Sequence, residues 1–322
     1  MPNAYTDTSS TSLGGTSGGA GLVQKAYDRL LEFALRSEPL IRSVADKRPA
    51  RQAFPGSTVV LQKYVDLAQA TTALTETTDP DAVSLSTPTS VTITLSEYGN
   101  AVLVTRALEL FSLADVDPAV ANIIAYNLAD SIDAVAMTTL RSGTNNIFAG
   151  DATSVATVDA TDTIDSADIR KSVARLRGNK AKARRGSLYW TGIHPSVSHD
   201  LRAETGTGGW RQPHEYVDTT GIYAGELGTY EGVAFVETPR LTNTQSGSGA
   251  GAAQVRVYNT FIMGQQALAE AVAEEPHTVI GPVTDKLMRL RPLGWYGVLG
   301  HALYRTEALW RIETASSVRP TV

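Results

Sequence analysis

The sequence predicts an α+β fold, and three observations favour it. A long helical segment with its own start and stop signals lies near the middle of the 322-residue chain. Segments with the two-residue period of β-strands occur both before and after that helix. Helical and strand-like segments are intermixed without the regular alternation that is typical of a doubly wound parallel sheet.

Composition narrows the classes of protein. Charged residues make up 19% of the chain and the formal net charge is -5, which disfavours a protein that holds nucleic acid over its whole surface. The chain has no cysteine, which excludes disulfides, thiolate metal sites and thiol nucleophiles. No apolar run approaches the roughly 18 residues of a membrane span, and the polar N-terminus lacks the features of an export signal. We therefore expect no membrane association.

The N-terminal part divides into a polar segment and a helix. Residues 1–21 are rich in Ser, Thr and Gly, so they cannot bury enough apolar surface to offset their ordering entropy. This predicts a flexible arm unless a partner holds it. A helical stripe follows and ends before Pro39; its members are Val23, Tyr27, Leu30, Leu31 and Ala34.

The next segment predicts a long hairpin arm. Residues 58–67 have the β-branched content of a strand, and Val91, Ile93 and Leu95 alternate with polar residues in a second strand. Between them, residues 68–90 contain few large apolar side chains and two prolines. A two-stranded hairpin is marginally stable alone in water, so this arm must pack on its own domain or on a neighbouring molecule.

The central helix is predicted over residues 118–141. Asp117 is a suitable N-cap, Pro118 fits the first helical position, and Gly143 is expected to end the helix in the left-handed conformation. Its length is about 24 residues, or roughly 36 Å. The predicted apolar stripe consists of Val120, Ile124, Leu128, Ile132 and Val135, with Asp130 and Asp133 off it. Taken alone, this pattern is typical of a core helix in any mixed fold.

A second amphipathic helix is predicted after a polar connection over residues 145–165. Ser166 is its expected cap, and Ile169, Val173 and Leu176 face inward. Its outer face and the following loop are basic and comprise Arg170, Lys171, Arg175, Arg177, Lys180, Lys182, Arg184 and Arg185. Because no aromatic residues are interleaved for base stacking, a solvated face or a contact with an acidic neighbour is favoured over a nucleic-acid site.

Further strands are predicted over residues 187–191 and 255–263. Residues 225–239 are predicted to form a turn with a tight glycine, followed by a strand that ends at the proline. A short helix is expected to begin at His194-Pro195. Three short antiparallel runs are predicted over residues 286–314, packed against the central helix.

Motifs for catalysis or metal binding lack their structural context. His194 and His199 are five residues apart, whereas a helical metal pair is separated by four. Ser198, His199 and Asp200 are adjacent in sequence, so they cannot form the relay of a catalytic triad. We therefore expect no enzyme activity, no cofactor and no metal.

The order of these parts resembles the major capsid proteins of tailed double-stranded DNA phages, the Hong Kong 97 fold, and in particular their phage N4-like branch. Five segments carry the resemblance: residues 23–36 (VQKAYDRLLEFALR), 64–79 (YVDLAQATTALTETTD), 91–105 (VTITLSEYGNAVLVT), 117–136 (DPAVANIIAYNLADSIDAVA) and 225–239 (GELGTYEGVAFVETP). They follow one another in the expected order over nearly the whole chain.

The resemblance implies a division into named parts. These are a flexible N-arm (1–24), a helix and connection (25–56), an E-loop hairpin (57–106), a P-domain with the spine helix 118–141 (107–162), an A-domain (163–270) and a return to the P-domain (271–322). In the family, the E-loop lies across the P-domain of the adjacent subunit. The implied contact residues here are Lys63, Glu76, Asp79 and Asp81. Because Lys63 lies near the base of the arm and the tip has no lysine, covalent cross-linking through the E-loop is not expected.

The implied function is structural. Such a protein assembles as hexamers and pentamers into an icosahedral head that encloses double-stranded DNA without sequence-specific binding. Its expected location is the virion capsid, after synthesis in the cytoplasm of a bacterial host. Scaffolding, portal and decoration proteins are possible partners. The alternatives are an encapsulin-type nanocompartment and, more remotely, a monomeric α+β hydrolase or sugar-binding protein.

Overall fold

A computed structural model describes residues 36–49, 56–74, 76–77, 79, 82–111, 116–204, 226–242, 251–282, 285, 287 and 289–318. The predicted N-arm and the predicted helical stripe after it lie outside these residues.

The described residues form five α-helices and twelve strands. The helices are α1 (Ile41–Val44), α2 (Arg106–Phe111), α3 (Val116–Arg141), α4 (Ser166–Gly178) and α5 (Pro195–Ala203). The strands are β1 (Asp46–Pro49), β2 (Thr58–Lys63), β3 (Thr89–Thr94), β4 (Ser96–Thr105), β5 (Asn146–Phe148), β6 (Tyr189–Ile193), β7 (Glu226–Tyr230), β8 (Val233–Glu237), β9 (Tyr258–Met263), β10 (Leu268–Ile280), β11 (Leu290–Leu303) and β12 (Leu309–Thr314).

The spine helix α3 has 26 residues and begins two residues before the predicted start. Asp117 therefore lies inside its first turn rather than before it. The predicted left-handed cap at Gly143 is wrong, because Gly143 is not among the described glycines with positive φ. Instead, the last carbonyls accept the backbone N–H groups of Ser142 and Gly143, so no left-handed residue is needed. The space at Gly143 is tight, since a Cβ there would lie 3.0 Å from Leu309 Cδ2.

Asp133 is buried, contrary to the prediction that it lies off the packed face of the spine. Its Oδ1 accepts the backbone N–H of Arg42 at 3.0 Å, and its Oδ2 lies 3.5 Å from the guanidinium of Arg240. The reason is local, because the first turn of α1 has no capping side chain of its own and Asp133 supplies the acceptor. Burial raises the pKa of Asp133, while these donors oppose the shift.

A four-stranded sheet in the order β1-β10-β11-β4 packs against the spine helix. Trp295 of β11 donates its indole N–H to Asn127 of the spine at 2.9 Å. Strand β11 is one long antiparallel strand in place of the predicted short runs, and its partner β10 was not predicted. The first four residues of β10 are all buried and most of the rest are exposed, so the strand lacks the two-residue period that identifies strands in sequence.

A six-stranded mixed sheet has the order β5-β12-β9-β6-β8-β7. Helix α4 packs on this sheet through Ile169, Val173 and Leu176, as predicted. The predicted cap at Ser166 is wrong, because Asp165 accepts the backbone N–H of Asp168 at 2.8 Å. Ser166 instead donates its hydroxyl to Glu204 at 2.9 Å.

The main core joins the spine helix to the six-stranded sheet. Met137 and Leu140 of the spine pack with Phe261 and Met263 of β9 and with Leu309 of β12. A second core lies between α4, α5 and the other part of the sheet. The spine helix therefore connects the two larger sheets, and a third, two-stranded sheet is formed by β2 and β3.

We predict that Asp133→Ala destabilises the folded chain by about 1–3 kcal/mol, because it leaves the backbone N–H of Arg42 without its buried side-chain acceptor. Asp130→Ala is the control, since Asp130 pairs with Arg240 but is 40% exposed, and it should change stability by about 1 kcal/mol or less. Urea unfolding of both variants measures the difference. Equal losses would contradict a special role for the buried carboxylate.

Candidate assembly interface

The base of the arm packs on its own chain. Strands β2 and β3 pair antiparallel from Thr58↔Thr94 to Lys63↔Thr89. Ile93 is fully buried against Ala269 and Ala271 of β10, and Val59 and Leu61 pack beside it. The odd-numbered residues of the hairpin therefore face the body, while the even-numbered ones are exposed.

Gly300 permits this packing. A Cβ at Gly300 would lie 2.2 Å from the carbonyl oxygen of Thr94 and 3.0 Å from Ile93 Cγ2. Any side chain at this position would push the hairpin away from β11. The glycine thus sets how closely the arm approaches the sheet.

Lys63 marks the last contact of the paired strands with the body. Its ammonium group lies 3.0 Å from Glu307 Oε1, in the turn between β11 and β12. The backbone N–H of Glu307 and the ammonium of Lys63 lower the pKa of this carboxyl group. The same turn accepts side-chain bonds from Asn145 and Asn179, so the base of the arm is tied to the connection between the two sheets.

Beyond Lys63 the arm exposes large apolar side chains. Six of them have more than half of their surface in contact with solvent: Tyr64, Val65, Leu67, Leu74, Val83 and Leu85. Glu76 and Asp79 are also exposed, and Asp81 lies outside the described residues. The sequence pattern predicts a polar segment here, because the apolar residues are scattered along it. The structure places Lys63 on its own chain, and the contacts of Lys63, Glu76, Asp79 and Asp81 with a neighbouring subunit stay a prediction.

A second exposed apolar surface, the α2 surface, lies at the end of the four-stranded sheet. It comprises the exposed Leu108, Leu110 and Phe111 of α2, the helix that directly follows β4. Phe111 is 87% exposed. Strand β4 is also at the edge of its sheet. Exposed apolar patches of this kind are typical of protein–protein contacts.

The basic residues of α4 and the following loop form a largely exposed face. Several of them contact their own chain: Arg170 donates to Ser166 at 3.3 Å, Arg175 lies 4.6 Å above the ring of Trp310 and Arg184 lies 3.6 Å from Asp46. At the start of the same helix, burial and the neighbouring charge of Asp165 raise the pKa of Asp168 to about 6. This face is therefore partly occupied by internal contacts.

The candidate catalytic residues have structural contacts. His194 Nδ1 accepts the backbone N–H of Ser196 at 3.1 Å and caps α5. Ser198 donates its hydroxyl to the carbonyl of Pro195 and to Glu237 rather than to His199. The buried carboxylate of Asp200 accepts the backbone N–H of Ser317 at 2.9 Å. These bonds hold α5 and the C-terminal segment in place.

Sequence reasoning missed a buried ionic cluster between α1, β10 and β11. Glu270 accepts a bond from Arg42 at 2.7 Å, and His301 lies 3.9 Å from the same oxygen. Burial is the main cause that lowers the pKa of His301. No sequence signal identifies the cluster, because its members come from distant segments that the sheet register brings together.

Within the part of the chain that the structure describes, no group of three or more His, Asp or Glu side chains is arranged to hold a metal ion. None of the described helices combines the length and the apolar character that a membrane-spanning helix needs.

Comparison with known proteins decides the family. The family model described as "Phage capsid protein" matches residues 122–314, which is more than half of the chain. The chain belongs to the phage capsid protein family. This capsid protein has no match among curated protein sequences.

Solved structures confirm the Hong Kong 97-type fold. The capsid subunit of cyanophage Pam1 is 14% identical with a TM-score of 0.70, and the alignment covers 95% of this chain and 100% of that one. The capsid of Ralstonia phage GP4 is 15% identical with a TM-score of 0.70, covering 91% and 95%. The capsid of cyanophage P-SCSP1u is 14% identical with a TM-score of 0.69, covering 98% and 99%. The predicted α+β capsid fold is therefore confirmed, and the chain is a structural protein of a phage head. Membership of the N4-like branch stays a prediction.

We predict that Gly300→Ala loosens the base of the arm, since the added methyl group cannot fit 2.2 Å from the carbonyl of Thr94. The expected loss in free energy of unfolding is about 1–3 kcal/mol, with faster amide hydrogen exchange in β2 and β3. Gly56→Ala is a suitable control, because nothing lies within 4 Å of the position of its Cβ. If amide hydrogen exchange in β2 and β3 were unchanged in Gly300→Ala, the close approach at Gly300 would not be what holds the base of the arm on the sheet.

A separate prediction concerns pH. Asp168 keeps its proton in the folded chain up to about pH 6, whereas the unfolded chain loses it near the ordinary value of 3.8. Stability contributed by this group therefore falls as pH rises between these values. Asp168→Asn should raise the free energy of unfolding at pH 7 by about 1–2 kcal/mol. This figure allows for the favourable interaction of the carboxylate with the helix dipole at the start of α4, which the Asn loses. The variant should also show a weaker dependence of stability on pH between 3.8 and about 6. Exposed Asp151→Asn is the control, and identical pH profiles for both variants would contradict the prediction.

Proposed function

We propose that this capsid protein is the major shell subunit of a tailed phage, assembling as hexamers and pentamers into an icosahedral head around double-stranded DNA. Family membership supports the shell role. The observation that carries the assembly proposal is the arm, whose apolar side chains beyond Lys63 are more than half exposed on the isolated chain. A subunit that exposes such an arm is stabilised when a second copy covers it.

The arm is proposed to lie on a neighbouring subunit. Its contact residues there are Glu76, Asp79 and Asp81, with Lys63 at the base. The exposed α2 surface provides apolar area for such contacts. Permanent interfaces in assemblies of this kind bury on the order of 2,000 Å² or more, with an apolar centre.

The division into parts is also a proposal. The N-arm is assigned to residues 1–24, the E-loop to 57–106, the P-domain to 107–162 and 271–322, and the A-domain to 163–270. The four-stranded sheet on the spine helix supports a separate P-domain, and the six-stranded sheet supports the A-domain. Strands β5 and β12 belong to the six-stranded sheet, which supports extending the A-domain to include them.

The role in the head is proposed to be mechanical, without enzyme activity or a cofactor. An acidic subunit with net charge -5 suits a shell that does not grip the genome as it enters. Packaged DNA is accordingly proposed to lie inside without sequence-specific contacts. Synthesis in the bacterial cytoplasm and the use of scaffolding, portal and decoration proteins complete the proposal. The match to a phage capsid family favours a genome-enclosing shell over a nanocompartment with an enzyme cargo.

Sedimentation velocity of the purified protein across a range of concentrations tests assembly. Growth of rings, hexamers or shells with concentration, confirmed by electron microscopy, is the expected result. A chain that stays monomeric at high concentration and with cell lysate as a source of assembly factors would contradict the proposal.

We further predict that deletion of residues 68–90 leaves a folded subunit that no longer assembles, because it removes the arm but keeps the base packed by Ile93. Circular dichroism and thermal unfolding check that the subunit is folded, and sedimentation checks assembly. The control replaces Asp151, which is exposed and lies outside the arm, by Asn, and it should leave assembly unchanged. Regular shells from the deletion variant would show that the arm does not hold subunits together.

A further inference from the structure

One face of the arm carries most of the apolar side chains of both strands, with Lys63 and Thr89 as its polar members, and this face continues past the last paired residues. At the base it is formed by odd-numbered residues, which include Val59, Leu61 and Ile93, and these pack on the body. The even-numbered residues of the same strands are exposed. The hairpin is therefore amphipathic, with a known inward face.

The two-residue period continues beyond Lys63 on one strand and before Thr89 on the other. It places Val65, Leu67, Val83, Leu85 and Thr87 on the inward face, and Tyr64, Asp66, Ser84 and Ser86 on the opposite one. The four apolar side chains are 53–75% exposed. This face therefore packs against its own chain up to the contact between Lys63 and Glu307, and it is exposed to solvent beyond that contact.

The register of the ladder also extends through this segment. Continuing from the pairs Gln62↔Ser90 and Lys63↔Thr89 places Asp66 opposite Ser86 and Leu67 opposite Leu85. A period-two pattern on two strands that also match in register is typical of a strand pair.

Pro88 does not prevent this extension. The backbone N–H of Leu95 donates to Ser57 at 2.7 Å, which identifies these opposed residues as a hydrogen-bonded pair. Because hydrogen-bonded and non-hydrogen-bonded pairs alternate, Pro88 opposite Tyr64 falls at a non-hydrogen-bonded position. The backbone N–H of a residue at such a position points away from the partner strand. Proline, which has no N–H, therefore removes no hydrogen bond of the ladder.

We propose that the β2–β3 ladder extends in this register to Leu67 and Leu85 when a second copy of the chain covers the apolar face. The inference rests on the proposed shell function. An isolated two-stranded ribbon is marginally stable in water, and an apolar cover on one face supplies the missing stabilisation. The exposed apolar side chains of the α2 surface on the second copy can pack against this face of the arm. Assembly and completion of the arm are then one coupled event.

Paired cysteines test the proposal in a chain that has no cysteine of its own. Asp66→Cys with Ser86→Cys places two thiols at a predicted non-hydrogen-bonded pair, where opposed Cα atoms about 4.5 Å apart suit a disulfide. Both positions are on the polar face, so the apolar face is intact. We expect intrachain disulfide formation to be at least about tenfold faster in assembled shells than in subunits under the same oxidant, since a flexible loop brings the thiols together only transiently.

Two matched variants serve as controls. Gln62→Cys with Ser90→Cys lies within the existing ladder at an equivalent pair, and it should cross-link equally in subunits and shells. Asp66→Cys with Ser84→Cys is two residues out of register, and it should cross-link slowly in both. Peptide mass spectrometry distinguishes intrachain from interchain bonds.

The outcomes separate this inference from the proposed function. Shells that form without the Asp66–Ser86 cross-link, while the in-ladder control cross-links, would overturn the inference and leave the shell function standing. Equally rapid cross-linking in subunits would show that the ladder is complete before assembly, which also overturns the coupling. Failure of the cysteine-free parent chain to assemble, even with cell lysate as a source of assembly factors, would overturn the shell function itself.

Discussion

The packing of the spine helix against both sheets is the constraint on which the rest of the molecule depends. Its C-terminal half inserts Met137 and Leu140 between strands of the six-stranded sheet and the short helix α1. Its middle turns contact the four-stranded sheet through the bond between Asn127 and Trp295. Because one rigid helix contacts both sheets, their relative positions are set by side-chain packing rather than by a linker.

Buried polar groups add specificity to this packing. Asp133 fixes the start of α1 by accepting a backbone N–H, and Glu270 fixes the side chain of Arg42. Buried charges of this kind contribute little net stability compared with apolar packing, because their desolvation is costly. Their effect is to make other arrangements of the same elements much less favourable, since each alternative would leave a charge unpaired.

The arm shows how a subunit can be stable alone and still incomplete. Its base is packed closely enough that only a glycine fits at position 300, and its last ion pair is Lys63 with Glu307. Past that point the same apolar face has no described part of its own chain to pack against. The arm is thus held in direction by its base while its outer part is free to contact another molecule. A shell protein needs both properties, because subunits must fold before they meet and must gain stability when they do.

The sequence by itself determined the α+β class, the spine helix within two residues of its start, the hairpin, the inward face of α4 and the absence of thiol chemistry. These features depend on local patterns, namely helical and two-residue periods and the composition of the chain. Only the tertiary structure decided that Asp133 is buried, that β10 is a strand, that Lys63 pairs with its own chain and that Arg42, Glu270 and His301 meet. These features depend on contacts between segments that are far apart in sequence, and no local pattern records which distant backbone or charge a side chain will face.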